Sequence, residues 1–222
     1  MNIDFIYELI NDIINQIFYG GIKLYNSVMK KKARTYLNIF LAAIIIYLWL
    51  RMCFGYSGQS FMRGGFRNLK YFTILSNLLE AIACIVFVLK GNEKLKYTAA
   101  VSVMLTFTVV VVFLGHVYGY KMMFSGPSLW FHGLVPVIAM MEFIICNKTP
   151  MTKRDNLFAV VPLVLYGIGY LGNILINGIV KNDWYHFMSW GYGVGFVIFA
   201  VIIITVYLIG LVLRKLNEKV AK

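Results

Sequence analysis

The sequence has no Walker, Rossmann, HExxH or GxSxG pattern, so a nucleotide cradle, a helix-borne metal pair and the serine elbow of soluble hydrolases are all missing. Its three cysteines, Cys53, Cys84 and Cys146, form no CxxC pair and lie in or beside apolar stretches, which reads them as inert packing residues. Charge is scarce at 14% of residues, and acids are scarcer still, with nine Asp and Glu against 21 Lys and Arg. The net charge of +12 does not point to nucleic acid, because the basic residues sit at the ends of apolar segments and form no single stripe or RNA-binding motif. The positive start of a secretory signal is also missing, since Asp4, Glu8 and Asp12 precede any Lys or Arg.

What is abundant is apolar surface: 60% of the 222 residues are hydrophobic and mean hydropathy is +0.76, against about 45 to 50% apolar residues in a soluble domain. The length allows about six spans of roughly 20 residues and leaves no room for a sizeable soluble domain. The expected fold is therefore an all-α polytopic membrane protein with spans near 35–54, 71–89, 97–118, 128–147, 157–180 and 188–213. Residues 1–34 read as an amphipathic interfacial helix ending in the basic stop Lys30-Lys31-Lys32-Ala33-Arg34, residues 35–213 as the six-helix transmembrane domain and 214–222 as a basic cytoplasmic tail. Alternating the spans puts 15 of the 21 basic residues on one side, so both termini are expected in the cytoplasm of a multi-pass protein of the cell membrane.

Against this apolar background one polar face is conspicuous. Thr73, Ser76, Asn77 and Glu80 recur at helical spacing in Tyr71-Phe72-Thr73-Ile74-Leu75-Ser76-Asn77-Leu78-Leu79-Glu80. A carboxyl about two turns inside an apolar helix is costly, so Glu80 is expected to line a cavity floor, protonated or hydrogen-bonded to span 5, where Tyr166, Tyr170, Asn173 and Asn177 form a polar stripe. That stripe reads chiefly as glue between helices. The alternating topology brings Thr73 and all three histidines, His116, His132 and His186, to one membrane face. A threonine hydroxyl needs a nearby base to attack a carbonyl, and imidazole supplies one near neutral pH, so Thr73 and His132 form the first candidate catalytic pair. First-turn backbone N–H groups beside Thr73 are candidate oxyanion donors. Glu142 need not share the partner of His132, Asp183 reads as a solvated loop acid or a third triad member, and Arg63, Arg67 and Lys70 as anchors for a lipid headgroup or substrate carboxylate.

In Tyr71-Phe72-Thr73-Ile74-Leu75-Ser76-Asn77, and in His132-Gly133-Leu134-Val135-Pro136 followed by Glu142, the chain resembles the androgen-induced and androgen-dependent-TFPI-regulating protein family, and its bacterial branch most clearly. The similarity extends over the six spans, about residues 35–213. It implies a six-span membrane threonine hydrolase that cleaves fatty-acid esters of hydroxy fatty acids without a cofactor, with Thr73 at the place of the nucleophile and His132 at that of the essential histidine. Acyl transfer is the adjacent chemistry. Two other readings of the residues stand beside it. One is a metal-dependent membrane hydrolase with His116, His132 and His186 as ligands, assisted by Glu80 or Asp183. The other is a small lipid or ion carrier that titrates Glu80 and Glu142.

Overall fold

The computed structural model describes residues 31–54 and 65–220. The proposed amphipathic helix before residue 31, Arg63 and the last two residues lie outside the described residues. Six helices are long and apolar enough to cross a membrane, no strand occurs among the described residues, and the protein is an all-α multi-pass membrane protein. They are α1 (Lys31–Cys53), α2 (Phe72–Lys90), α3 (Glu93–Tyr118), α4 (Pro127–Cys146), α5 (Lys153–Asn177) and α6 (Tyr192–Val220).

Local chemistry sets the boundaries. Tyr71 is extended and starts α2, while Gly91 ends it in the left-handed conformation at φ 67°, its N–H donating to the Phe87 carbonyl. Asn92 then accepts from Leu95 N–H at 3.0 Å, so α3 starts at Glu93, four residues before the sequence pattern indicated. Thr152 and Asp155 make a reciprocal capping box that starts α5. At the far end of the chain α6 runs on to Val220, so the expected tail from residue 214 is mostly helix. Consecutive spans alternate in direction, which gives the bundle a proximal end, where α1 starts and α6 stops, and a distal end, where α2 and α4 start.

The centre of the bundle is α3, packed against α2, α4 and α6. Ala99, Ala100, Val101 and Val103 are fully buried there, and the two alanines allow close backbone approach. Tyr97 joins three helices: its Oη lies 2.5 Å from Asn156 Oδ1 and 2.8 Å from the Gly210 carbonyl oxygen. A Cβ at position 210 would meet that phenol at 2.8 Å, so the approach requires glycine. Asn217 donates to the Ile144 and Asn147 carbonyls at 3.1 and 2.8 Å and satisfies the end of α4. Large apolar side chains such as Leu165, Ile168, Val197 and Ile204 are exposed on α5 and α6, the arrangement of a lipid-facing surface.

Two departures from regular α-helix matter for the distal half. Val110–Leu114 in α3 and Trp130–Leu134 in α4 are π-helical turns. A π turn shifts the phase of the helix and displaces its carbonyls from the regular ladder, and such turns concentrate at functional sites.

Candidate active site

Thr73 occupies the first turn of α2, and His132 the π turn of α4. Both are buried, and both border one cavity of about 150 Å³ at the distal end. Its remaining wall is mainly aromatic, with Tyr71, Tyr118, Trp184 and Tyr185, closed by Leu114, Met122 and Met123. A second, apolar cavity of about 40 Å³ lies deeper, among Phe72, Leu105, Val109, Leu163, Phe199 and Ile202. Thr73, Leu114 and Tyr185 belong to both walls, so Thr73 stands at the boundary between an aromatic chamber and an apolar one.

The tautomer of His132 follows from its partner. Its Nδ1 is 2.9 Å from the Met123 carbonyl oxygen, and a carbonyl only accepts, so Nδ1 carries the hydrogen. In the neutral ring the basic lone pair is then on Nε2. On the other side of the cavity, the Thr73 carbonyl accepts from Asn77 Nδ2 at 2.7 Å and Ser76 Oγ at 3.1 Å. The same Asn77 amide donates to the Phe131 carbonyl at 3.1 Å, and Phe131 immediately precedes His132. One fully buried amide thus ties the backbone of the candidate nucleophile to that of the candidate base. Ser76 Oγ also lies 3.0 Å from Thr106 Oγ1, which fixes α2 against α3.

Three of the first-turn donors around Thr73 are occupied within the protein. Phe72 N–H donates to Tyr185 Oη at 2.8 Å, and the N–H groups of Ile74 and Leu75 both reach the Tyr71 carbonyl, so these three are already engaged. Desolvation raises the phenols of Tyr71 and Tyr185 above the ordinary tyrosine range, in Tyr185 well above it. Both therefore remain hydroxyls at neutral and mildly alkaline pH. Lys70 is exposed beside two rings of the cavity wall, its ammonium 5.1 Å from the Tyr71 ring centre and 5.2 Å from that of Trp184. Arg67 is exposed in the 3-10 turn Gly65–Lys70 that leads into the site.

Several expected members stand elsewhere. His116 is exposed and its Nδ1 lies 3.0 Å from Tyr120 Oη, while His186 is exposed with φ 59°. Neither lines the cavity, and among the described residues no three His, Cys, Asp or Glu side chains converge as metal ligands. The histidine trio of the metal reading is therefore not assembled, because α3 ends with His116 turned outward and the loop before α6 turns His186 to solvent. Asp183 is buried, against the expectation of a solvated acid, and it orients no histidine. Its carboxylate accepts from Phe187 N–H at 3.0 Å, Met188 N–H at 2.8 Å and the Tyr170 hydroxyl, which fixes the chain entering α6. The stripe on α5 is hydrogen-bonded into the fold, Tyr166 donating to the Lys70 carbonyl at 2.7 Å, Asn173 to Asn182 at 3.1 Å and Asn177 to Asn173 at 2.8 Å, and Tyr166 also lines the apolar cavity.

Glu80 departs furthest from its expected place. It borders neither cavity and is bonded to none of the polar residues of α5; its carboxylate is paired with Lys96 of α3. Glu142 lies in the same charged cluster, held by Arg34 Nε at 2.5 Å and by Asn38 Nδ2 at 3.3 Å. Arg34 and Lys96 look like ordinary flanking cations in the sequence. The signal that could have found them is the acids themselves, since two carboxyls buried in apolar helices require cations within reach. No signal in the sequence marks the two π turns. No protein-family model, curated protein or solved structure matches the chain.

Proposed function

We propose that the protein is an integral-membrane lipid ester hydrolase with Thr73 as nucleophile and His132 as base. The observation that carries this reading is the shared wall: both side chains border one cavity, with the His132 hydrogen held at Nδ1. Nε2 takes the proton from Thr73 Oγ1 as the Oγ1–carbon bond forms, and returns it to the alkoxide as the ester C–O bond breaks. Water, deprotonated by the same nitrogen, then adds to the acyl carbon. The fatty acid leaves and Oγ1 regains its hydrogen. An alcohol in place of water gives acyl transfer by the same steps.

The substrate class is a fatty-acid ester, with an ester of a hydroxy fatty acid as the first candidate by resemblance. Lys70, beside the Tyr71 and Trp184 rings of the wall, is the cation offered to a substrate carboxylate, and the apolar chamber beyond Thr73 suits the first carbons of an acyl chain. Tyr71 and Tyr118 bring hydroxyl-bearing rings to the wall as donors for the developing oxyanion. The basic excess on the proximal side supports a cell-membrane protein with both chain ends in the cytoplasm and the site toward the outer leaflet.

A fluorophosphonate directed at activated hydroxyls tests the assignment. Mapping by mass spectrometry is expected to place the adduct on Thr73, and stoichiometric labelling at any other residue overturns it. Asn77→Ala provides a second test, because it unties Thr73 from the strand of contacts leading to His132. A displacement of about 1 Å is enough to cost roughly 10²-fold in rate, so kcat for a medium-chain p-nitrophenyl ester is expected to fall by about that factor with a smaller change in KM. An unchanged kcat would show that Asn77 does not position the pair.

A further inference from the structure

The proximal half of the bundle contains a cluster of charge that the distal cavity does not use. Arg34 and Lys96, each near the start of its helix, reach inward, while Glu80 and Glu142 project from the interior of α2 and α4. Arg34 makes a bidentate contact with Glu93 at 2.5 and 2.7 Å, donates to Glu142 at 2.5 Å and to the Cys146 carbonyl at 3.1 Å. Its guanidinium lies 4.1 Å from the Phe87 ring centre. Lys96 pairs with Glu80, lies 3.5 Å from Glu142 Oε2 and donates to Cys84 Sγ at 3.2 Å. Glu80 and Lys96 are fully enclosed, and Glu142 and Arg34 nearly so.

Among the described residues the charges do not balance: two cations, Arg34 and Lys96, face three carboxylates, the enclosed Glu80 and Glu142 and the part-exposed Glu93, which leaves one negative charge. The helix termini do not correct this, because the positive end of α3 beside Glu93 is offset by the negative end of α4 beside Arg34. Lys94, the next cation along α3, is exposed and paired with Asp155 at 2.9 Å. Three buried acceptor oxygens in the same cluster accept no hydrogen bond, Glu80 Oε2, Glu142 Oε2 and Asn38 Oδ1, of which Glu142 Oε2 has the Lys96 ammonium 3.5 Å away. A low-dielectric interior strongly disfavours both an uncompensated charge and unpaired acceptors; one small cation relieves the charge and engages at least one of the open oxygens.

We propose that this cluster is a binding site for one monovalent cation, a proton or an alkali-metal ion, taken up among the open oxygens of Glu80, Glu142 and Asn38. The groups facing it are Arg34 and Asn38 from α1, Cys84 from α2, Glu93 and Lys96 from α3 and Cys146 from α4. The site is separate from Thr73 and His132, and its test reads ion-dependent stability, so it stands or falls independently of the hydrolase reading.

The full chain in detergent is melted in sodium chloride and in N-methylglucamine chloride of equal ionic strength, each at mildly acidic and mildly alkaline pH. A midpoint raised by sodium identifies the alkali ion, and one raised by acid alone identifies the proton. Either dependence is expected to be lost in Glu80→Gln, which removes the surplus charge. A Glu80→Gln protein that keeps the wild-type dependence on both overturns the proposal. Infrared difference spectra of the wild-type protein test it without any variant. A buried carboxylic-acid band induced by acid, or carboxylate bands shifted by sodium, is expected, and carboxyl bands unchanged in both titrations overturn it.

Discussion

Thr73→Ala is expected to reduce hydrolysis of a medium-chain p-nitrophenyl ester or a hydroxy-fatty-acid ester by about 10³-fold or more, the effect of removing a nucleophile from a hydrolytic pair. His132→Ala is expected to match it, and the double variant to lose little beyond either single one, because groups acting as one unit are not additive. The fold should survive the threonine change, whereas His132→Ala also removes a buried ring bonded to the Met123 carbonyl and is expected to lower stability. The Thr73 side chain only borders two cavities, while the bonds that anchor its residue run through the backbone carbonyl to Asn77 and Ser76. A thermal midpoint close to wild type in Thr73→Ala is therefore part of the expected result, and it separates a chemical loss from unfolding. Turnover in Thr73→Ala at the wild-type rate would end the threonine mechanism, whatever the cavity contains.

The largest effect on stability is expected from Lys96→Met. The methionine fits the apolar path of the lysine stem but removes the ammonium paired with Glu80 and lying 3.5 Å from Glu142. Breaking a buried ion pair by deleting one partner costs about 3 to 5 kcal/mol, since the remaining charge is left uncompensated. Glu80→Gln in the same chain should recover much of that loss, as the neutral amide no longer needs the lysine. Chemical denaturation in detergent, comparing Lys96→Met with the double variant, measures this. A Lys96→Met protein as stable as wild type would show that the cluster contributes nothing to holding α2, α3 and α4 together. Ester turnover by folded Lys96→Met should be near wild type, because Lys96 lies outside both distal cavities.

The difference between these two regions is also the difference between what the chain announces and what it conceals. Thr73 and His132 could be paired from sequence because each follows a helix boundary, and topology alone delivers both boundaries to the same end of the bundle. Glu80 was legible as an anomaly but its partner was not. Lys96 falls in the first turn of α3, where it resembles the basic residues that flank any span, and only its long side chain carries the ammonium inward. Asp183 misleads in the opposite sense: its position in a loop suggests solvent, while its burial comes from two backbone N–H groups and the Tyr170 hydroxyl that converge on it.

The sequence by itself determined the all-α membrane architecture, the number of spans and the end of the bundle at which Thr73 and His132 meet. Run length, caps and breakers are local properties, and the direction of each span follows from the one before it. The tertiary structure alone decided that His116 and His186 stay outside the cavity, that Asn77 links Thr73 to Phe131, and that Arg34 and Lys96 are drawn to Glu142 and Glu80. Those outcomes depend on the rotation of each helix about its axis, which the π turns of α3 and α4 reset, and on contacts between residues distant in the chain. Helical periodicity assigns a face to every residue, but the partner of that face is fixed only when the helices pack.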